Sequence, residues 1–149
     1  MDINLKNKNY HFNIRTCCFL WNKNKEDILV QRKISQYEED WALPGGKVKV
    51  GETSLQALAR ELDEEFSIEV VEAQLIGISE QFKILKYPLH QIIFLYNCLS
   101  HKGKPILVDK TLEYKWLNIK DFKSVHPIWA SELDNYENIK YINGFPIKT

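Results

Sequence analysis

The chain has 149 residues, of which 44% are apolar and 27% are charged, and its 20 basic side chains balance its 20 acidic ones. A chain of this length can bury a core of its own, so we expect one domain over residues 1–149. The zero net charge argues against a protein that binds nucleic acid through clustered positive charge.

The apolar segments of the chain are too short to cross a membrane. The longest apolar runs, such as residues 92–96, are far below the roughly 20 residues that a membrane-spanning helix needs. Residues 1–6 lack the apolar centre of a signal peptide. The three cysteines form no Cys-x-x-Cys pair, and we interpret them as small buried hydrophobes in strands. We therefore expect a cytoplasmic protein that makes no membrane contact.

The first part of the chain has the pattern of two strands. They cover residues 12–21 and 27–32, and the polar sequence Asn-Lys-Asn-Lys at residues 22–25 separates them. At residues 41–46 the sequence Trp-Ala-Leu-Pro-Gly-Gly predicts a sharp turn, in which other atoms can approach the backbone closely. The strand pattern stops at this turn.

The strongest helix pattern spans residues 53–66. Its apolar residues recur at the spacing i, i+3, i+4, i+7 and i+11, which places them on one stripe of the helix. The stripe consists of Leu55, Leu58, Ala59, Leu62 and Phe66. Thr53 and Gln56 have the spacing of a capping box at the helix start.

Three further strands are predicted after this helix, over residues 70–82, 89–99 and 114–119. The middle one is almost continuously apolar, which is typical of a strand covered on both faces. Residues 131–141 show only a weak helical pattern, and we assign no role to the tail from residue 120 onwards. The order of elements predicts an α/β protein with a mixed sheet flanked by helices.

Three glutamates share one side of the predicted helix. Glu61, Glu64 and Glu65 stand at i, i+3 and i+4, so we expect their carboxylates to emerge together, away from the apolar stripe. Like charges at these spacings destabilise a helix by about 0.2 to 0.5 kcal/mol per pair, unless a cation lies between them. Oxygen ligands select a hard divalent ion, for which Mg²⁺ is the natural candidate and Mn²⁺ a similar fit. Solvated helix faces show the same pattern, so the three glutamates alone leave both interpretations open.

The residues around this cluster resemble the box of the MutT-like Nudix hydrolases, G-x5-E-x7-R-E-U-x-E-E-x-G-U, in which U is aliphatic. Residues 46–68 match eight of its nine specified positions. The matching residues are Gly46, Glu52, Arg60, Glu61, Leu62, Glu64, Glu65 and Ile68. Ser67 stands where the box has glycine, near the helix end, where a left-handed residue often closes the last turn.

The resemblance implies an α/β/α sandwich that hydrolyses a nucleoside diphosphate linked to another group. It also implies that Mg²⁺, or Mn²⁺ in its place, assists the reaction. The implied metal ligands are the carboxylates of Glu61, Glu64 and Glu65, that of Glu52 near a second metal, and the backbone carbonyl of Gly45. No histidine pattern points to a catalytic zinc site.

The resemblance also implies roles for residues beside the metal ligands. Arg60 is expected to orient Glu61 by a charge-assisted hydrogen bond. As general base, Glu61 and Glu64 both stay open, and both rank above Glu113.

Three residues outside the box are candidates for binding the substrate. Glu113 stands where relatives often carry an acidic residue near the metals, and Arg32 could face a substrate phosphate. Trp41 is a candidate for stacking on a base. Each also has an ordinary interpretation, as a surface carboxylate, a strand-end cation and a core tryptophan.

The box says little about the substrate, because loops elsewhere select the leaving group. The proline typical of relatives that cleave ADP-ribose falls here on Lys83, while Pro88 and Tyr87 come later than the family markers. We expect a nucleoside or deoxynucleoside triphosphate pyrophosphohydrolase. The alternatives are an ADP-ribose or sugar-nucleotide pyrophosphatase and a nucleotide sensor without activity. A homodimer stays open, because relatives are frequently dimers.

Overall fold

The computed structural model describes residues 11–34, 41–83, 89–123, 125–127, 130 and 139–144. Within these residues the chain forms seven β-strands, one α-helix and one short 3₁₀ helix. In chain order they are β1 (His11–Leu20), β2 (Asp27–Lys33), β3 (Gly45–Lys47), α1 (Ser54–Phe66), β4 (Glu69–Lys83), β5 (Leu89–Lys102), β6 (Leu112–Asn118), the 3₁₀ helix (Ile119–Asp121) and β7 (Lys140–Gly144). The five strands predicted from the sequence are all present.

Five of the strands form one mixed sheet in the order β3-β1-β5-β4-β7. β1 runs parallel to β5 and β4 runs parallel to β7, while the other two pairs are antiparallel. β2 and β6 form a separate antiparallel pair, in which Arg32 stands opposite Glu113 and Val30 opposite Lys115. The predicted α/β class with a mixed sheet is therefore confirmed.

Two hydrophobic clusters form the core of the protein. One contains Leu62 and Phe66 of α1 together with Leu29 of β2. The other contains Ile28 and Val30 of the same strand. Because consecutive strand residues point to opposite faces, β2 contributes to both clusters in alternation. Its two faces are therefore both covered, and its position is defined by packing on each side.

β5 is covered on both faces, as its apolar run predicts. Leu95 belongs to one cluster, whereas Tyr96 and Cys98 belong to the other. All three cysteines of the chain, Cys17, Cys18 and Cys98, are buried free thiols. Burial raises the pKa of the Cys17 thiol to about 12. The interpretation of the cysteines as small buried hydrophobes is confirmed.

α1 begins with the predicted capping box. The Thr53 side chain accepts a hydrogen bond from the amide of Gln56 at 3.1 Å, and the Gln56 side chain accepts one from the amide of Thr53 at 2.9 Å. Leu55, expected on the buried stripe, is instead 40% exposed, whereas Ala57 is fully buried. The buried face is therefore rotated towards Ala57. No helix in the described part of the chain is long and apolar enough to cross a membrane.

Ser67 closes α1 in the position where the family box has glycine. Its backbone is left-handed, with φ 55° and ψ 37°, and its amide donates to the carbonyls of Asp63 and Leu62. The serine therefore takes over the glycine conformation and does not shift the helix end. For a residue with a side chain this conformation costs about 1 kcal/mol relative to glycine.

A short strand replaces part of the predicted turn at residues 41–46. Gly45–Lys47 forms β3, in which Gly45 pairs with Cys17 of β1. The predicted close approach to the backbone is present, since a Cβ at Gly45 would lie 2.0 Å from the carbonyl oxygen of Thr16. The φ of Gly45, +150°, is also rare for residues with side chains. Glycine thus allows β3 to lie directly against β1.

The prediction of a weak helix over residues 131–141 is wrong for its last two residues. Lys140–Gly144 forms β7, which pairs in parallel with residues 77–81 of β4. Tyrosine and isoleucine in this segment favour a strand, and pairing with β4 outweighs the weak helical pattern. The remainder of the predicted helix, residues 131–138, lies outside the described residues, and so does any second helical layer formed there.

Replacing Ser67 with glycine should stabilise the protein. Ser67→Gly removes the cost of the left-handed backbone, so we expect the free energy of unfolding to rise by about 0.5 to 1 kcal/mol. Urea unfolding followed by circular dichroism measures this change. The control is Ser100→Gly in the extended backbone of β5, which should lower stability. A Ser67→Gly variant no more stable than the parent would contradict the strain assigned to this residue.

Candidate active site

Arg60 stands at the centre of a group of acidic residues around α1. Its guanidinium donates to both carboxylate oxygens of Glu52, at 2.5 and 3.0 Å. It also donates to Glu61 at 3.0 Å and to Glu64 at 3.2 Å. A further hydrogen bond, of 3.0 Å, goes to the carbonyl of Lys47 in β3. Arg60 thus brings three of the sequence-predicted carboxylates together and connects them to the sheet.

Glu52 is held from two directions. Arg60 forms a bidentate pair with it, and the amide of Lys49 donates to its second oxygen at 2.9 Å. These hydrogen bonds, first of all the one from Arg60, lower the pKa of the Glu52 carboxyl to about 2. Glu52 is therefore ionised at any pH near neutrality, and Arg60 has a permanent partner.

Gly46 provides the space that the Glu61 carboxylate occupies. A Cβ at Gly46 would lie 2.3 Å from Cδ and from Oε1 of Glu61. These distances are far inside van der Waals contact, so a larger residue would displace the carboxylate. The sequence identifies Gly46 only as a motif position, and the structure gives its physical reason.

The three helix glutamates lie on one side of α1, as their spacing predicts, but they differ in exposure, and Glu65 does not point away from the apolar stripe. Glu64 is 53% exposed, but Glu61 is only 16% exposed and Glu65 is half-buried. At about 100° per residue, Glu65 points about 20° from Leu58, whereas Glu64 points about 120° from it, with Glu61 between the two. Leu58 is fully buried. The sheet therefore covers the flank with Glu61 and Glu65, and Glu64 faces solvent.

Glu65 has a buried oxygen that no hydrogen bond satisfies. Gln31 of β2 donates a hydrogen bond to the Glu65 carboxylate, but its Oε2 atom is buried and has no donor among the described residues. Burial, and next the charge of Glu61, raise the pKa of the Glu65 carboxyl to about 7. A buried carboxylate oxygen is costly unless a donor or a cation pairs with it. The buried Oε2 atom of Glu65 therefore has the properties expected of a metal ligand. Sequence reasoning missed Gln31, because nothing in the sequence pairs β2 with α1.

The carboxylates of Glu52, Glu61 and Glu64 are arranged around Arg60. In the ranges that the structure describes, no three acidic, histidine or cysteine side chains are grouped closely enough to hold a metal. Arg60 contacts only one oxygen of Glu61 and one of Glu64. The second oxygens of these two residues, together with Glu65, are of the hard type that a divalent ion requires, but these side chains would have to move closer together to bind one.

The three substrate-side candidates lie together in a second group. Arg32 forms an ion pair with Glu113, which stands opposite it on β6. The Arg32 guanidinium lies 4.4 Å from the centre of the Trp41 ring, and the Lys115 ammonium lies 4.3 Å from it. Trp41 therefore contacts two cations. Sequence reasoning missed Lys115, since only the register of β2 against β6 places it here.

The two groups are on different faces of β2. Gln31 and Arg32 are consecutive, so their side chains point in opposite directions. Gln31 reaches Glu65 of α1, and Arg32 points with Glu113 to the other face. The placement of Glu113 near the metals stays a prediction.

Replacing Gly46 with alanine should disturb Glu61 without unfolding the protein. In Gly46→Ala the new methyl group meets the end of a flexible side chain, so the Glu61 carboxylate moves away from Arg60. We expect Mn²⁺ binding, measured by calorimetry, to weaken by roughly tenfold. Gly51→Ala is the control: its φ is +88° with nothing within 4 Å, so stability falls while Mn²⁺ affinity stays. Equal affinities in both variants would contradict the role given to Gly46.

Comparison with known proteins identifies the family. Residues 11–138 match the NUDIX domain. The 8-oxo-dGTP diphosphatase of Buchnera aphidicola is 33% identical over 102 residues, which are 68% of this chain and 73% of that protein. The 8-oxo-dGTP diphosphatase of Haemophilus influenzae is 42% identical over 73 residues, which are 48% of this chain and 51% of that protein.

A solved structure shows the same fold. The crystal structure of the mutator MutT protein from Bacillus halodurans covers 88% of this chain and 89% of its own, with a TM-score of 0.69 and 20% identity. The mixed sheet with its box helix is thus the Nudix fold. The chain belongs to the Nudix family and is a MutT-like hydrolase of pyrophosphate bonds.

Proposed function

We propose that this enzyme hydrolyses nucleoside and deoxynucleoside triphosphates to a monophosphate and pyrophosphate, with Mg²⁺ as its ion. The observation that carries the proposal is the group of Glu52, Glu61 and Glu64 around Arg60, which concentrates negative charge on one side of α1. Two relatives bear the name 8-oxo-dGTP diphosphatase, which supports a triphosphate substrate. 8-oxo-dGTP is therefore the first nucleotide to test.

Nudix proteins typically depend on a divalent metal ion, and the residues of this chain fit one. The proposed ligands are the carboxylates of Glu52, Glu61, Glu64 and Glu65 and the carbonyl of Gly45. The buried Oε2 atom of Glu65, which lacks a donor among the described residues, supports this set. When bound, Mg²⁺ supplies positive charge to the pyrophosphate oxygens and makes the attacking water more acidic. Mn²⁺ has similar ligand preferences.

Arg60 acts as a positioning residue. Its Nε and both terminal nitrogens donate to carboxylates or to the Lys47 carbonyl. All three guanidinium nitrogens are therefore engaged in intramolecular hydrogen bonds, and through them Arg60 orients Glu61 and Glu64. A lysine could not make these planar, bidentate contacts.

Glu64 is the proposed general base. It is the most exposed of the carboxylates around Arg60 and is held by a single hydrogen bond of 3.2 Å. Glu61, at 16% exposure, is less accessible to water. Glu64 accepts a proton from water as the water oxygen bonds to phosphorus, and the bond from phosphorus to the leaving pyrophosphate breaks.

The group on the other face of β2 is proposed to bind the substrate. Arg32 and Lys115 bring two positive charges to Trp41, and Glu113 fixes the direction of Arg32. Because two cations already contact the indole, the group favours contacts with substrate phosphate oxygens over stacking of a base on Trp41. A homodimer and a cytoplasmic location stay predictions.

A panel of nucleotides distinguishes the proposed substrate from the alternatives. The panel contains 8-oxo-dGTP, the common nucleoside triphosphates, ADP-ribose and a sugar nucleotide, each with Mg²⁺ and with Mn²⁺. We expect the highest kcat/KM for a triphosphate, with monophosphate and pyrophosphate as products identified by mass. A preference for ADP-ribose or the sugar nucleotide would replace the proposed substrate class. Tight binding without any product would instead identify a nucleotide sensor.

Removing the proposed base should abolish turnover and preserve the fold. Glu64→Gln keeps the size of the side chain but cannot accept the proton, so we expect kcat to fall by about 10²- to 10⁴-fold. The matched control is Asp63→Asn, an equally conservative change at the exposed neighbouring position of the same helix. It should retain activity. If Glu64→Gln turned over substrate at the parental rate, Glu64 would not be the base.

A further inference from the structure

A large open cleft lies at the far end of the central strands from the Arg60 group. Its volume is about 1250 Å³, and it begins at Trp21, just beyond β1. Gly46, which adjoins Glu61, pairs with Thr16 of β1. The five residue-to-residue steps from Thr16 to Trp21 extend about 16 Å at the rise of a β-strand. Trp21 therefore lies at the end of the cleft away from the acidic site, whereas Tyr114, which pairs with Gln31, lies at the end nearer to it.

Aromatic side chains form part of the cleft wall. Trp21, Tyr114 and Trp116 line it, and each packs its inner part against the hydrophobic core. The Trp21 indole donates to the side chain of Asn97 at 2.7 Å, and the Tyr114 hydroxyl donates to the carbonyl of Pro105 at 3.3 Å. These hydrogen bonds hold two of the rings in place. Fixed aromatic surfaces of this kind favour flat ring systems as ligands.

The rim of the cleft is positively charged, although the chain as a whole is neutral. Lys23, Lys25 and Lys104 line it, and the only acidic residue among its described lining residues is Asp27. The Asp27 carboxylate accepts a hydrogen bond from the side chain of Asn22 at 3.1 Å. The Asn22 side chain also accepts hydrogen bonds from the backbone amides of Glu26 and Asp27, which directly follow the turn that carries Lys23 and Lys25. The turn is therefore fixed, and it presents its two lysines at the cleft.

We propose that this cleft is a second nucleotide site, which binds a nucleoside monophosphate. The base would lie against the aromatic side chains, and the phosphate would lie among Lys23, Lys25 and Lys104. Three cations against one engaged carboxylate match the charge of a single phosphate. No acidic cluster lines the described part of this cleft, so the proposed role is binding without hydrolysis.

Titration with GMP tests the second site. GMP has no phosphoanhydride bond, and EDTA in the buffer removes divalent ions from the acidic site. We expect saturable shifts of the NMR signals of the Trp116 indole and of the Ser100, Gly103 and Lys104 amides, all of which belong to the cleft. Ribose 5-phosphate, which lacks the base, should bind at least about tenfold more weakly.

Reversing the charge of lysines distinguishes specific binding of GMP at the cleft from nonspecific electrostatic attraction to the whole protein. The double variant Lys23→Glu, Lys104→Glu should weaken GMP binding by about tenfold or more. The control Lys120→Glu, Lys123→Glu makes the same change in net charge at exposed lysines that do not line the cleft, and it should bind GMP like the parent. Hydrolysis of the preferred substrate, measured on the same samples, reports on the acidic site independently.

Three results would overturn the second site. They are the absence of GMP-dependent shifts at the cleft, equal binding of ribose 5-phosphate, and equal weakening in both double variants. None of these results would affect the proposed hydrolytic function, since the variants leave the residues around Arg60 unchanged. Conversely, loss of hydrolysis in Glu64→Gln would leave GMP binding at the cleft intact.

Discussion

The arrangement of the acidic residues depends on one guanidinium. Arg60 holds Glu52 from the loop before α1, together with Glu61 and Glu64 from the helix itself. It is also bonded to the carbonyl of Lys47, so helix and sheet are connected through the same side chain. Carboxylates this close repel one another in the absence of a positive charge between them. The packing of α1 against β3 therefore keeps Arg60 in the position where it contacts all three carboxylates.

Local features of the site could be predicted from the sequence. The capping box of Thr53 and Gln56 and the end of α1 at Ser67 depend on residues a few positions apart, so spacing alone identifies them. The family box likewise placed Arg60 beside Glu61. These predictions succeed because the interactions are formed within one helix and its flanking loops, where sequence distance and spatial distance agree.

Other features of the site depend on tertiary packing and strand pairing, which local sequence patterns do not determine. The burial of Glu61 and Glu65 follows from the side on which the sheet meets α1, and the periodicity of Leu58 and Leu62 does not fix the width of that contact. The strand at Gly45–Lys47 exists only because β1 accepts it as a neighbour. The contact of Lys115 with Trp41 requires the register of β2 against β6. Such long-range pairings have no signature in local sequence.

The occupied donors of Arg60 have a consequence for how a nucleotide can arrive. The three carboxylates and the guanidinium together carry a formal charge of −2. The positive charge of Arg60 is therefore not available to attract a phosphate. A bare polyphosphate is therefore repelled from this face of α1. A divalent ion carries two positive charges and therefore weakens this repulsion. From these charges we expect nucleotide binding at this face of α1 to depend on a divalent cation, whether the cation arrives with the nucleotide or with the protein.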